Sequence, residues 1–421
     1  MTSLAIDRRW LLTGGAAALL GLAGRGAFAD VLMSETDSIV RGDGPLASQM
    51  RLGELLIRYL ARHRSADAAD SANVVVSPAS LAAILSLVDL GGSGAMHLAI
   101  HRALGYRRTA RRKAEDDLAS LRTSVSALVA QGGKNGGKNG PLVLANLVAF
   151  DRSIRPRQLA MFGLSGAGAD VLVDNLADSK IVDRINGWVK QRTRDLIPSV
   201  IGEAPETLGL VAVNALYFKD KWQTPFEASR TATAAFQTVS GKPADVQMMH
   251  SPVSTFRFRA DNRFVAAELG YMNGNFKLVA ITTKSAPAPA QDFTAVAGWL
   301  GGEGFEAQSG EIGLPKLTLS ATGELLPALD AFGLSAARHL PGAFEGFSDE
   351  ELQIARVLQK IELRVNEEGT EGAAATAVMT TRSLAPRHQV VTFDRPFVFA
   401  LRDDKTGLVL FMGYVGAPPN A

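Results

Sequence analysis

Val365-Asn-Glu-Glu-Gly-Thr-Glu-Gly-Ala-Ala-Ala-Thr-Ala-Val-Met-Thr-Thr-Arg-Ser-Leu-Ala-Pro386 is the stretch on which the fold turns. It lies between two stretches that read as strands. Ile361, Leu363 and Val365 alternate with Glu362 and Arg364, the period-two pattern of a half-buried strand. Beyond it, Val390–Leu401 and Leu408–Val415 read as two more strands, joined by an Asp403–Gly407 turn into a β-hairpin. The first half of the quoted stretch has no bulky side chain. One parity holds Thr370, Gly372, Ala374, Thr376, Val378 and Thr380, all small or modestly apolar and uncharged. The other parity carries Glu371, the sole charge from there to Thr381. Alternate residues of a strand point to opposite faces, so this segment can become a strand with one face buried. An Ala/Thr/Gly linker would have a similar composition, and so short a pattern leaves both open.

Upstream, Met50, Leu52, Leu55, Leu56, Tyr59 and Leu60 recur at helical spacing, which predicts an amphipathic helix over 46–63. Asn73–Pro78 reads as a short buried strand, after which Ser77-Pro78 opens a helix that stops at Gly91-Gly92. Leu142–Phe150 reads as a strand, Ile181–Ile197 as a helix, and Leu208–Phe218 as an apolar strand from the middle of a large sheet. Ala266–Thr283 reads as strands around the Asn273-Gly274 turn, Glu311–Ser320 as a further strand and Leu325–Phe332 as helical. The segment 132–140 (GGKNGGKNG) cannot pack and reads as a flexible insertion. Helices grouped early and strands in runs point to α+β rather than to a doubly wound sheet.

Composition narrows the function. Of 421 residues 47% are hydrophobic, ample for a large core, and there is no Cys, which removes disulfides, thiolate metal sites and Cys nucleophiles. Arg8-Arg9, an Ala/Gly/Leu stretch to Leu22 and Ala27-Phe28-Ala29 read as a twin-arginine signal peptide over 1–29, cut after Ala29, with export to the periplasm or the medium. An uncleaved anchor would need a longer and less glycine-rich run. Residues 30–45 read as a loose leader and 46–421 as one domain. Losing residues 1–29 removes three Arg and one Asp and takes 44 basic and 42 acidic residues to 41 of each. That balance gives no reason to expect nucleic acid or a membrane surface as partner. His97 and His101 stand four apart on a predicted helix, a spacing that can hold a metal, but no third ligand is evident and they read as a solvated face. No metal and no cofactor is expected, and no G-x-S-x-G elbow, P-loop or dinucleotide fingerprint occurs.

Several motifs together resemble one family. Glu367–Ala377 resembles the hinge of inhibitory serpins, and Phe393–Phe399 with Leu410–Gly413 resembles the serpin C-terminal signature. Asn73–Leu104, Val213–Trp222 with Pro225-Phe226, and Leu314–Leu317 are similar as well, in the family's order. The resemblance implies a bacterial, inhibitory serpin: a single α+β domain with three β-sheets, eight or nine helices and an exposed reactive-centre loop at about 367–390. It implies no enzyme but a suicide-substrate inhibitor and a monomer, whose partner is a target serine protease held in a covalent complex. The protease cuts the loop and is trapped as an acyl-enzyme when the loop inserts into the main sheet. About 14 inserted residues at about 3.3 Å each would carry the protease roughly 45 Å.

Residue by residue, the resemblance implies a hinge of Glu367, Gly369, Thr370, Gly372, Ala373, Ala374, Ala375 and Thr376. Ser77, Ser80, Asn214 and Gln359 match the polar cluster where the main sheet opens, with Gln359 standing where the family usually has His. Ser77 would serve equally as a plain helix cap. Trp222, Lys316 and Glu367 match the place where the hinge enters the sheet, and a Lys316–Glu367 pair would pin it there. Gly372 stands where the family more often has Ala, which should slow insertion. The reactive bond is expected at Arg382-Ser383, since Arg382 suits the buried Asp of a trypsin-like pocket. Leu384, suited to a chymotrypsin-like pocket, is the alternative. The basic run Arg107–Lys113 falls where some serpins bind sulfated polysaccharides, but Glu115–Asp117 just after it reads as part of a solvated face. Two rivals remain: a non-inhibitory serpin acting as chaperone, carrier or binding protein, and a periplasmic hydrolase with a lid. The uncharged inserting parity weighs against the first, and the lack of a nucleophile–base motif against the second.

Overall fold

The computed structural model describes residues 45–63, 73–104, 106, 111–131, 141–206, 209–370 and 388–418. Within these, eight α-helices and seventeen strands form the α+β arrangement that the sequence predicts. Helix α1 is Pro45–His63. Strand β1, Val74–Val76, leads through Ser77 into α2, Pro78–Val88. Every residue of α2 is buried, because the helix is packed between two sheets and is apolar on all sides.

The smaller sheet has seven strands. β2 (Leu142–Asp151) pairs with β3 (Ala169–Asp174) on one side and with β4 (Leu210–Phe218) on the other. β13 (Ile354–Val365) lies on the far side of β4, and β12 (Leu317–Glu324) pairs with β13. β2 and β4 are antiparallel, as are β12 and β13, but β4 and β13 run parallel, from Ile354 opposite Leu210 to Glu362 opposite Tyr217. A parallel seam therefore runs down the middle of the sheet. β4 is buried on both faces, whereas β13 turns Arg356, Lys360, Glu362 and Arg364 to one side and mostly apolar residues to the other. Val211, Val213 and Leu358 pack under Ile181, Ile185 and Val189 of the amphipathic helix Lys180–Arg192, while Ala212, Leu216, Val357 and Ile361 join the main core.

The larger sheet has ten strands. β9 (Phe264–Gly270) and β10 (Phe276–Thr283) form the expected pair around Asn273-Gly274, and β16 (Phe397–Asp403) and β17 (Leu408–Val415) form the expected C-terminal hairpin. Hydrogen bonding counts two sheets where three were expected, because β11 (Glu306–Pro315) is continuous across what would be two. Its first half pairs with β8 (Ser254–Ala260) and its end with β7 (Pro243–His250), which carries β6 (Ala232–Gln237). β15 (Gln389–Thr392) runs parallel to its middle.

Three element readings are corrected. The strand expected over 311–320 is two strands in different sheets, broken at Pro315-Lys316, where Pro supplies no N–H to continue the ladder. The strand expected over 390–401 is interrupted by Asp394-Arg395-Pro396 for the same reason. The helix expected to reach Ile197 stops at Arg192, since Arg194 and Asp195 take φ of 56° and 65°. The insertion 132–140, the basic residues 107–110 and the leader to residue 44 lie outside the described residues.

Candidate functional site

The site begins where β13 ends. Asn366 turns the chain: its Oδ1 accepts from the N–H groups of Glu368 and Gly369, and its own N–H donates to Gly369 O at 2.9 Å. Asn favours such local turns because its short side chain mimics backbone. The chain then doubles back as β14, Gly369–Thr370, antiparallel to β13 with Thr370 opposite Val365. On its other side β14 pairs with β5, Asp220–Lys221, which continues the line of β4. Two residues of the hinge thus already lie between the lines of β13 and β4, at the mouth of the parallel seam.

This entry is held by a compact set of contacts. Trp222 is fully buried, its Nε1 donates to Asn366 O at 2.9 Å, and its backbone N–H donates to Glu368 O at 2.8 Å. The ring stacks on Tyr271 at 4.4 Å between centroids. Tyr271 Oη and Thr370 Oγ1 are 2.8 Å apart, and both residues are fully buried. Burial pushes the Tyr271 hydroxyl far above the ordinary tyrosine range, so it stays protonated and able to donate. Glu367 accepts from Lys316 Nζ at 2.8 Å and from Thr231 Oγ1 at 2.8 Å. Burial opposes its charge, but Lys316, its backbone hydrogen bond and Thr231 outweigh burial and hold the carboxyl below the usual range. Burial pushes Asp220 the other way, upward. Trp222, Lys316 and Glu367 are therefore brought together, and the break between β11 and β12 puts Lys316 there. Tyr271 and Thr231 escaped the sequence reading. Tyr271 stands 99 residues from Thr370, and nothing local marks it as a partner.

The polar cluster lies farther down the seam. Ser77 Oγ caps α2 by accepting from Ser80 N–H at 3.1 Å, and it also donates to Ser80 Oγ at 2.8 Å. Gln359 grips the Ser77 backbone at both ends. Its Nε2 donates to Ser77 O at 3.2 Å, and its Oε1 accepts from Ser77 N–H at 3.4 Å. Ser77 is thus both a helix cap and a link to the sheet. Asn214 is the partner of Gln359 across the seam but bonds elsewhere: its Nδ2 donates to Asn146 Oδ1 at 2.7 Å. The four expected residues are neighbours in two separate hydrogen-bonded groups, and Asn146 joins the set. Gly372, Ala373, Ala374, Ala375, Thr376, Arg382, Ser383 and Leu384 lie outside the described residues.

The histidine expectation is corrected. His101 is buried, stacks on Tyr106 and meets Asp117 at 3.2 Å, while His97 meets Asp89 at 2.6 Å. Both carboxylates tie the histidine helix to neighbouring elements, and neither histidine belongs to a merely solvated face.

A family model described as Serpin (serine protease inhibitor) matches residues 55–418. The chain is 30% identical over 371 residues to Serpin-ZXA of Oryza sativa subsp. japonica, across 82% of this chain and 90% of that protein. It is 28% identical over 363 residues to a serine protease inhibitor of Cyanea capillata, across 82% and 92%. Among solved structures, native protease nexin-1 with heparin superposes with a TM-score of 0.72 at 23% identity, over 89% of this chain and all (100%) of that one. Thyroxine-binding globulin complexed with thyroxine superposes equally, with a TM-score of 0.72 at 21% identity over 89% and 99%. The resemblance in the hinge, the doubling-back of that hinge into the seven-stranded sheet and the match over nearly the whole described chain agree, and the chain belongs to the serpin family of serine protease inhibitors, which are not enzymes.

Proposed function

We propose that this protein inhibits a serine protease by presenting residues 371–387 as bait and completing, after cleavage, the strand that Gly369–Thr370 begins. The observation that carries this is the position of those two residues, paired on both sides at the mouth of the parallel seam. A strand extended from Thr370 would run antiparallel to both β4 and β13. It would replace one parallel ladder with two antiparallel ones, which are somewhat more stable per residue. The length also fits. Carried on in register, Thr370–Thr381 would oppose β13 along its 12 residues, apart from a register shift between Ile354 and Arg356. Arg382 would then emerge at the far end of the sheet, about 40 Å from where the loop entered.

The sole uncharged parity of 370–380 would face the core, and Arg382 would fill the specificity pocket of a trypsin-like protease. Arg8-Arg9 and the Ala27–Ala29 site support export before this encounter. The test is incubation with a panel of serine proteases, followed by denaturing gels and intact mass. A covalent complex with a trypsin-like enzyme is expected, together with a released C-terminal fragment starting at Ser383. A fragment starting at Ala385 would move the specificity residue to Leu384. Cleavage with no complex for any protease would argue for a carrier or binding role.

A further inference from the structure

The hinge is cradled by the segment that follows β5. Trp222 N–H donates to Glu368 O, Phe226 N–H donates to Glu367 O at 2.8 Å, and Thr231 Oγ1 donates to the Glu367 carboxylate. Trp222 and Phe226 are buried, and their rings meet edge to face at 6.1 Å between centroids. Beyond Phe226 that kind of anchor ends. The single helical turn Ala228–Arg230 has no buried residue, and Glu227 and Thr231 on either side of it are only partly covered. A turn with so little apolar burial keeps its place through polar contacts.

Glu227 N–H supplies one such contact, to His250 O at 3.1 Å, and Arg230 supplies two more. Arg230 Nη1 donates to Ser251 O at 2.7 Å and Nη2 donates to Glu311 Oε1 at 2.5 Å. Both acceptors are fixed to β11. Glu311 belongs to that strand and its side chain is only 15% exposed, with His250 Nδ1 approaching the same oxygen at 3.4 Å. Ser251 is clamped to the next residue: its N–H donates to Ile312 O at 2.9 Å, and Ile312 N–H donates to Ser251 Oγ at 2.9 Å. A planar guanidinium fork on two fixed acceptors, one of them a largely buried carboxylate, sets direction as well as position. The same part of β11 pairs with β15, Glu311 standing opposite Val390. Arg230 therefore ties the hinge, through Thr231 and Glu367, to the strand that also anchors the chain on the far side of the bait.

We infer that Arg230 is a positioning residue for the hinge: by bridging Glu311 and the Ser251 carbonyl it fixes Thr231 against Glu367, and so sets how firmly Gly369–Thr370 stay docked. The docking is a property of the intact protein; its consequence for trapping rests on the inhibitory reading above. A firmly docked hinge starts the proposed strand at once and in one register. A loosened hinge delays it and gives a bound protease longer to deacylate.

Amide hydrogen exchange at Gly369 and Thr370 in the intact protein, read by NMR, tests the inference. Arg230→Ala should speed exchange there about tenfold, while the hairpin of β16 and β17 exchanges as slowly as in the wild type. Glu311→Gln should act in the same direction. Arg230→Lys, which keeps the charge but lacks the fork, should fall between wild type and Arg230→Ala. In a Thr231→Val background Arg230→Ala should add nothing. The Glu367 carboxyl should titrate at higher pH in Arg230→Ala, since it loses its Thr231 donor. Against a trapped protease, Arg230→Ala should be consumed in larger excess than the wild type. Exchange at Gly369 and Thr370 unchanged in both Arg230→Ala and Glu311→Gln, or an acceleration undiminished in the Thr231→Val background, would overturn the inference. A wild type that traps no protease would overturn the inhibitory reading and leave the exchange result standing.

Discussion

A Cβ on Gly369 would stand 2.1 Å from the carbonyl oxygen of Asp220 and 2.7 Å from Lys221 Cα. Both are backbone atoms that cannot swing aside, so only glycine lets β14 fit between its neighbours. Gly369→Ala should therefore push the hinge out of the sheet and lower the stability of the intact protein by about 1–3 kcal/mol, read from denaturant midpoints. Glu367 gives the hinge a pH dependence. Its folded pKa lies below its ordinary value, so its stabilisation is fully present above the unfolded pKa and is lost as pH falls through the folded one. Between roughly pH 5 and pH 3 the wild type should lose stability that Glu367→Gln lacks at every pH. Asp220 is shifted upward and contributes with the opposite sign, its stabilisation fading as pH rises, so the difference between the two proteins, not the raw profile, is the measurement. Identical profiles would show that Glu367 does not hold the hinge.

The seam between β4 and β13 is the element that the proposed mechanism must open. Thr370 is fully buried at its mouth, and Thr370→Arg would place a charge there without a partner, at a cost of several kcal/mol. The hinge should then stay out, and the protein should become a substrate, with far more inhibitor consumed per protease trapped. Unchanged stoichiometry would sink the proposed point of entry. The helix Lys180–Arg192 lies over the seam through Ile181, Ile185 and Val189. Ile185→Ala should cost the intact form about 2–5 kcal/mol, measured by unfolding, and loosen the cover that an entering strand must lift. The seam's strands were legible in the sequence because Leu210–Phe218 is apolar but for Asn214 and Ile361–Val365 alternates. The start of the hinge, Glu367–Thr370, was legible through its resemblance to the family's hinge motif. What the sequence hid were long-range matters. The tie from Tyr271 to Thr370, the Asn146 partner of Asn214 and the carboxylates facing His97 and His101 depend on which segments the fold brings together. The split at Asp394–Pro396 was hidden for a local reason, since Val391 and Phe393 share their parity with Phe397 and Phe399 across the proline, whereas at Lys316 the apolar parity does shift, from Ile312 and Leu314 to Leu317 and Leu319.

At the scale of the whole molecule, the chain has no cysteine, so no disulfide braces its fold. One continuous core joins the C-terminal hairpin, α2 and the main-core face of the seam. That core extends along β13 to Val365, beside the hinge, so a strand entering the seam would extend a packed surface rather than create a new one. The intact form carries a strand of two residues at the mouth of a parallel seam. The proposed insertion would complete that strand and replace the parallel ladder with two antiparallel ones. The intact protein should thus be trapped short of its most stable arrangement, with the uncut loop as the restraint. The direct test is to nick the purified protein within 371–387 and compare its unfolding with that of the intact form under the same conditions. The account predicts a rise in melting temperature of tens of degrees on nicking; a nicked protein that melts where the intact one does would contradict it.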